Sequence, residues 1–150
     1  MSGDFMLAAR RGVMARMKHT AGITTVVPPG SIYGGTVPAE RIYPFTRIGS
    51  IIGTPFRASG LNSSSFRLTV NGFTQGVRVD PGNPASPLAT TAEDHAHQIA
   101  SAIKDGLDET NIVLETGGTL RLTWVRTITI QDGDDSSAWG TSVIFGADLA

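Results

Sequence analysis

Two histidines on a predicted helix form the chain's best arrangement for metal chemistry. His95 and His97 follow directly after Glu93 and Asp94, and imidazole and carboxylate groups are common ligands of zinc. Residues i and i+2 of an α-helix project about 200° apart, so one ion cannot be held by both imidazoles. We therefore predict no metal site here and expect His95 to pack beside the apolar stripe of its helix.

An acidic segment near the C-terminus resembles the opening of a calcium-binding loop. It reads Asp132-Gly133-Asp134-Asp135-Ser136. An EF-hand loop also needs a glycine at its sixth position and a glutamate at its twelfth. The chain has neither residue at the required spacing. We predict a solvated hairpin turn.

No motif in the chain predicts catalysis. The glycine pairs Gly34-Gly35 and Gly117-Gly118 lack the spacing of a phosphate-binding loop. No serine lies in a G-x-S-x-G elbow. The chain has no cysteine, which excludes disulfides, thiolate zinc sites and a cysteine nucleophile. The sequence thus predicts no catalytic residue, no cofactor and no enzymatic activity.

Length and composition predict one globular domain over residues 1–150. The chain is 40% hydrophobic and 17% charged, which is typical of a folded domain of this size. It has no apolar run of the roughly 20 residues that a membrane span needs. We expect neither a membrane partner nor generic binding to polyanions, because the formal net charge is −1.

The near-zero net charge conceals two oppositely charged halves. Residues 1–78 contain nine basic and two acidic residues, whereas residues 79–150 contain three basic and eleven acidic ones. A compact fold can interleave the halves and cancel the field. If the halves segregate in space, each subunit is a dipole that favours head-to-tail self-association. Ten of the twelve basic residues are arginines, the side chain best suited to bidentate contacts at interfaces.

Apolar spacing predicts two helices. The first runs from Asp4 to about His19 and stops at Gly22. The second runs to about Asp108 and opens with the capping box Thr91-Ala92-Glu93-Asp94.

Alternating or β-branched segments predict six strands. They are Ile23–Val27, Arg41–Gly49, Phe66 to about Gln75, Ile112–Glu115, Leu120–Gln131 and Ala138–Leu149. Long loops, Gly53–Ser65 and Gly76–Pro87, interrupt them. The order α-β-β-β-α-β-β-β predicts an α+β fold, with a mainly antiparallel sheet and two helices packed on one face.

Arg126 does not fit the pattern of its strand. It is in phase with Leu122, Trp124, Ile128 and Ile130, on a face that is otherwise apolar. Three explanations remain open at this stage: a β-bulge that shifts the phase, a buried ion pair, or a sheet face that a partner covers.

Several segments together form a recognisable pattern: the N-terminal helix, Ser31-Ile32-Tyr33, Tyr43-Pro44-Phe45-Thr46-Arg47-Ile48-Gly49, Phe66-Arg67-Leu68-Thr69-Val70, the helix Ala96–Ile103 with Leu107, and the final hairpin. With the order of elements, these segments resemble the tail-completion proteins of long-tailed phages and gene-transfer agents, which include tail terminators and head–tail joining proteins. The aromatic-Pro-aromatic strand ending in glycine is the most specific of these segments. The long loop Gly76–Thr90 and the stretch Asn71-Gly72-Phe73 depart from the family pattern.

The resemblance implies a structural virion protein of the tail or neck, present in the host cytoplasm during assembly. It implies a ring, usually of six subunits, that caps the tail tube, stops its polymerisation and joins tail to head. The major tail tube protein and a head-completion protein are then its partners. DNA only passes through the lumen.

We expect the subunit or partner interface to include six residues: Arg47, Phe56, Arg57, Leu61, Arg67 and Arg126. A neck or minor tail protein next to the terminator is the alternative within the same class. A small ligand-binding or enzymatic α+β domain is the alternative from another class. A ligand that raises the melting temperature of a strict monomer would favour the latter.

Overall fold

The segments with helical apolar spacing fold as helices. The computed structural model describes residues 4–55, 64–115, 117–131 and 137–149. The α-helices in these ranges are α1 (Asp4–Lys18), α2 (Ala21–Thr24) and α3 (Ala92–Leu107). The hydroxyl of Thr91 accepts a hydrogen bond from the Asp94 amide at 3.2 Å, so Thr91 is the N-cap of α3, as the predicted capping box requires.

The strands of the described ranges form one large and one small sheet. They are β1 (Ile32–Tyr33), β2 (Phe45–Pro55), β3 (Ser64–Thr74), β4 (Val77–Arg78), β5 (Leu88–Thr90), β6 (Thr110–Val113), β7 (Thr119–Gln131) and β8 (Trp139–Leu149). The large sheet has the order β1-β2-β3-β8-β7-β6, and β4 pairs with β5 separately. Only the short β1–β2 pair is parallel among the described strand pairs. The predicted α+β class is therefore confirmed.

The helices pack against one face of the large sheet. A Cβ added to Gly72 of β3 would lie 2.8 Å from Cγ2 of Ile99 in α3, so α3 sits directly on the sheet centre. Helix α1 contacts both β1 and β6, the two outermost strands of the sheet. Because one helix reaches both ends of a six-stranded sheet, the sheet curls around the helices. We call the side that holds the helices the concave face and the other side the convex face.

The core lies between the helices and the concave face. Its fully buried side chains come from all three helices and from four strands. They include Val13, Met17, Ile23, Ile48, Leu68, Val70, Ile99, Ile103, Leu107, Leu120, Leu122, Val143 and Phe145.

Two local predictions around residues 21–27 are corrected by the structure. Residues 21–24 form helix α2 instead of the predicted strand Ile23–Val27. Ile23 is fully buried, and a Cβ on Gly106 of α3 would lie 2.8 Å from its Cδ1, so tertiary packing overrides its β-propensity. Gly22 lies inside α2 and does not end the first helix, which stops at Lys18.

Three short strands lie in segments that we predicted to be turns or loop. Strand β1 falls within residues 31–40, where Gly34-Gly35 and Pro38 predict turns, and β4 and β5 form a hairpin within the long loop Gly76–Thr90. The predicted strand Arg41–Gly49 begins only at Phe45, after Pro44, and continues to Pro55. The predicted loop Gly53–Ser65 is therefore too long, because β2 ends and β3 begins inside it. Strands of two or three residues leave no measurable period in a sequence.

Candidate assembly interface

The convex face is the side of the sheet that the described helices leave open. In an antiparallel sheet, directly paired residues point to the same side. The pairs Leu68–Phe145 and Val70–Val143 are buried in the core. The alternating pairs therefore project from the convex face, which carries Arg67, Thr69 and Asn71 on β3 and Ser142, Ile144 and Gly146 on β8.

A β-bulge explains the position of Arg126. The register of β7 against β8 shifts between Trp124 and Arg126, so Val125 is an extra residue. Beyond the bulge, Arg126 pairs with Ile144 and Ile128 pairs with Ser142. Both side chains therefore project from the convex face.

Of the three explanations that the sequence left open for Arg126, the β-bulge is confirmed. A buried ion pair is wrong, because the Arg126 side chain is exposed. The expectation that Leu122, Trp124, Ile128 and Ile130 share one face is also wrong, since the bulge reverses the alternation after Trp124.

Three of the predicted interface residues meet on the convex face. Arg47 pairs with Asn71, Arg67 pairs with Gly146 and Arg126 pairs with Ile144, and all three arginine side chains are exposed. With strands about 4.8 Å apart and a rise of about 3.4 Å per residue, their Cα atoms form a triangle with sides of about 12 to 16 Å. We call these three residues the arginine triangle.

The other predicted interface residues lie outside the described ranges. Phe56, Arg57 and Leu61 belong to residues 56–63, and the acidic segment Asp132–Ser136 is likewise outside. Their place in an interface stays a prediction.

Exposed apolar side chains lie beside the arginine triangle. Val125, Ile128 and Ile130 of β7 retain 41%, 43% and 62% of their accessible surface. The sequence did not identify them as surface residues, and its only signal was the polar Arg126 in an apolar row. Arginine interleaved with large apolar groups is typical of protein–protein interfaces.

Small side chains occupy the middle of the convex face, and we call them the floor of this face. The Ser142 hydroxyl donates a hydrogen bond to Oδ1 of Asn71 at 2.7 Å. A Cβ added to Gly49 would lie 2.8 Å from Nδ2 of Asn71. Gly146 and Thr69 complete this floor on β8 and β3. The longer side chains around it therefore stand above a shallow centre.

The aromatic-Pro-aromatic motif packs at one end of the convex face. Phe45 is 4% exposed, and its ring stacks on Phe73 at a centroid distance of 5.0 Å. Tyr43 packs against Phe45 at 5.3 Å, and the Arg41 guanidinium carbon lies 5.6 Å from the Phe45 ring. The motif thus fixes the end of β2 that carries Arg47.

Strand β7 has a sheet edge that the described strands leave unpaired. Strand β6 covers only Thr119–Leu122, whereas β8 pairs along β7 to Gln131. Oδ1 of Asp108 accepts a hydrogen bond from the Trp124 amide at 2.7 Å, and Nζ of Lys104 lies 4.3 Å from the Trp124 ring. These contacts protect the start of the edge. Beyond Arg126, no described strand pairs with it.

Helix α3 presents an acidic stripe on the side away from the sheet. Asp94, Gln98, Ser101 and Asp105 follow at spacings of four, three and four residues, so they share one helix face. All four side chains are exposed. The acidic stripe and the arginine triangle therefore lie on opposite sides of the molecule.

His95 is a core residue, as predicted, and His97 is exposed on the same helix. Nδ1 of His95 lies 2.6 Å from the Thr74 hydroxyl, which also accepts a hydrogen bond from the Gly76 amide at 2.9 Å. The imidazole tautomer decides whether Nδ1 or the hydroxyl supplies the proton of this hydrogen bond. Burial lowers the pKa of His95 from its ordinary value of 6.5.

The described residues contain neither a cluster of metal ligands nor a membrane-spanning helix. Across these ranges, no three histidine, aspartate or glutamate side chains converge as a metal site would require. None of the helices in the same ranges is both long and apolar enough to cross a membrane.

A family comparison identifies the class of protein. The model of the family described as tail completion protein gp17 matches residues 11–144 of the chain. The chain belongs to this family. The resemblance inferred from the strand motif and element order is therefore confirmed, and the protein is a structural component of phage-type tails.

Solved structures show that this tail completion protein shares its fold with a virion component. One match is a chain from the "Virion of native gene transfer agent (GTA) particle", with a TM-score of 0.74 and 16% identity over 99% of this chain and 98% of that one. A second structure matches with a TM-score of 0.51 and 14% identity over 100% of this chain and 96% of that one. No curated protein matches the chain in sequence.

Proposed function

We propose that the protein is a tail terminator: copies form a ring, of six subunits, that caps the tail tube. The ring stops tube polymerisation, joins tail to head and lets DNA pass through its lumen. Its direct partners are the major tail tube protein and a head-completion protein, which it meets in the host cytoplasm during assembly.

The placement of two unlike surfaces on opposite sides of the subunit supports this proposal. A ring needs heterologous contacts, in which one patch of a subunit meets a different patch of the next. The convex face carries the arginine triangle and exposed isoleucines, and α3 carries acidic residues on the far side. The opposite charges of the two chain halves are thus partly separated in space.

The chemistry of the convex face favours protein contacts over DNA contacts. Apolar Val125, Ile128 and Ile130 have no role in neutralising phosphates. Both lysines of the chain lie on helices, at Lys18 and Lys104. A conduit that gripped the phosphate backbone would slow the passage of DNA.

The proposal is tested by adding the purified protein to polymerising tail tube protein. We expect tubes to stop growing and the protein to be found at one end only, because a cap bound to the last ring removes the site for the next one. The length distribution of tubes, measured by negative-stain electron microscopy, is the readout. Tubes that lengthen at the same rate with and without the protein would contradict the capping role.

A further inference from the structure

We propose that neighbouring copies join by placing the acidic stripe of α3 from one copy on the convex face of the next. This inference rests on the proposed ring and names its subunit interface. The occupant of the convex face is thus a second copy of the chain, docked through Asp94, Gln98, Ser101 and Asp105.

The acidic stripe and the arginine triangle have complementary charges. No acidic side chain among the described residues forms an ion pair with Arg47, Arg67 or Arg126, and the one salt bridge found there joins Arg11 to Glu115 at 3.1 Å. Arg121, the other arginine of this face, donates to Oδ1 of Asn111 at 3.3 Å. Within the described residues, the arginine triangle is therefore left to carboxylates from outside the subunit.

The spacing of the two aspartates in the acidic stripe matches the spacing of two arginines on the convex face. Asp94 and Asp105 are eleven residues apart, which is about 17 Å along a helix that rises about 1.5 Å per residue. Arg47 and Arg126 are about 16 Å apart on the sheet by the strand spacing. Both carboxylates can therefore lie over arginines while Gln98 and Ser101 lie over the floor of small residues.

The apolar part of the convex face gains from the same contact. Ile128 and Ile130 lie next to Arg126 on β7 and are 43% and 62% exposed. A helix lying across the face from Arg47 to Arg126 ends beside them. Covering them removes apolar surface from water and hides the unpaired edge of β7, which is otherwise a site for aggregation.

The two surfaces cannot meet within one subunit, because the sheet lies between them. A contact between opposite sides of identical subunits is heterologous and repeats from copy to copy, which closes into a ring when the rotation allows it. The basic residues of α1 are the competing partner for the acidic stripe, since Arg11, Arg16 and Lys18 are also exposed. In the proposed docking mode, the convex face of the next copy lies next to Ser101, whereas in the competing mode α1 of the next copy lies there.

The absence of cysteine from the chain makes the contact directly testable by cross-linking. Ser101→Cys places one thiol in the acidic stripe, and Thr69→Cys places another within the arginine triangle. The two purified variants are mixed, treated with a short bis-maleimide and separated by mass. Ala15→Cys, at an exposed position of α1, is the matched control for both.

We expect a covalent dimer from the Ser101→Cys and Thr69→Cys mixture at a yield about tenfold above either variant alone or either pairing with Ala15→Cys, a ratio equivalent to about 1.4 kcal/mol. Charge reversal by Arg47→Glu with Arg126→Glu should lower that yield by about tenfold, whereas Arg16→Glu on α1 should leave it within about twofold. The same pairs are then examined in assembled particles, where subunits are held together.

A yield for Ser101→Cys with Thr69→Cys no higher than for the α1 pairings would overturn the interface. If other cysteine pairs still link copies into rings, only this interface fails and the terminator proposal stands. If no pair links two copies in solution or in particles, the ring itself fails as well.

Discussion

At the scale of single residues, close backbone approaches set the distance between α3 and the sheet. Gly72 lies where a Cβ would come within 2.8 Å of Ile99 and 3.2 Å of Thr141. Only a residue without a side chain lets the helix lie this close. The packing role of this glycine could not be predicted from the sequence, because it depends on a contact between residues 27 positions apart.

We expect Gly72→Ala to lower the free energy of unfolding by about 1–3 kcal/mol, because the added methyl group pushes α3 from the sheet. Gly22→Ala is the control, since nothing lies within 4 Å of its added Cβ and alanine favours the helix by up to about 1 kcal/mol. Urea unfolding of the two variants measures the difference. A Gly72→Ala variant as stable as the wild type would show that α3 is not held against this strand.

The buried His95 predicts a dependence of stability on pH. Burial lowers its pKa in the folded state below the ordinary value of 6.5, so the unfolded chain binds more protons below that pH. This contribution to stability is fully present above pH 6.5 and is lost as the pH falls below it, by at most about 1.4 kcal/mol per pH unit.

His95→Gln should remove this part of the pH dependence. The difference in unfolding free energy between wild type and variant should shrink from pH 7 to pH 5, and thermal unfolding at several pH values measures it. His97→Gln, on the exposed side of the same helix, controls for substitution of a histidine in α3. A difference in unfolding free energy between wild type and His95→Gln that stays constant with pH would contradict the role of His95.

At the scale of elements, the sequence predicted α1, α3 and the β7–β8 hairpin because each has a long periodic pattern. Helix α2 and strands β1, β4 and β5 were missed, since each has only two to four residues and is held by tertiary contacts. Strand order was also beyond the sequence, because β3 pairs with β8 across the whole of α3, β6 and β7.

The bulge at Val125 is the element-scale feature that creates the candidate interface. Arg126 signalled a break in the pattern, but the residues alone could not distinguish a bulge from an ion pair or a covered face. The structure places Ile128 and Ile130 on the convex side because one extra residue reverses the alternation.

Deletion of Val125 should destabilise the protein by about 2–4 kcal/mol, since it turns Arg126 and both isoleucines toward the concave face. The Thr129–Thr141 hydroxyl contact at 3.2 Å would also be lost. Val125→Ala keeps the bulge and, at a side chain 41% exposed, should cost less than about 1 kcal/mol. Chemical unfolding separates the two, and a deletion variant no less stable than Val125→Ala would argue against the register.

At the scale of the whole molecule, the two charged halves of the chain are separated in part. Strands β1, β2 and β3 come from the basic half of the chain and are the first three strands in the sheet order. Strands β8, β7 and β6 come from the acidic half and are the last three. Arg126 extends the basic surface across this boundary, and Arg11 joins α1 to Glu115. The charge count of the sequence therefore suggested that basic and acidic surfaces are separated, but it could not show where these surfaces lie on the molecule.

Charge reversal on the convex face should impair assembly without unfolding the subunit. In Arg47→Glu with Arg126→Glu, both positions are exposed, so we expect an unchanged helix content by circular dichroism. Joining of tails to heads should fall by about tenfold or more, because like charges across an interface repel. Arg16→Glu is the matched control on α1. Full tail joining by the double variant would show that this face is not used.

The most direct measurement of the central claim is the length and attachment of tails in particles assembled without this protein. If the protein caps the tube, electron microscopy should show tails of uncontrolled length that are detached from heads, and wild-type protein supplied in trans should restore both properties. Tails of normal length, joined to heads in its absence, would contradict the account.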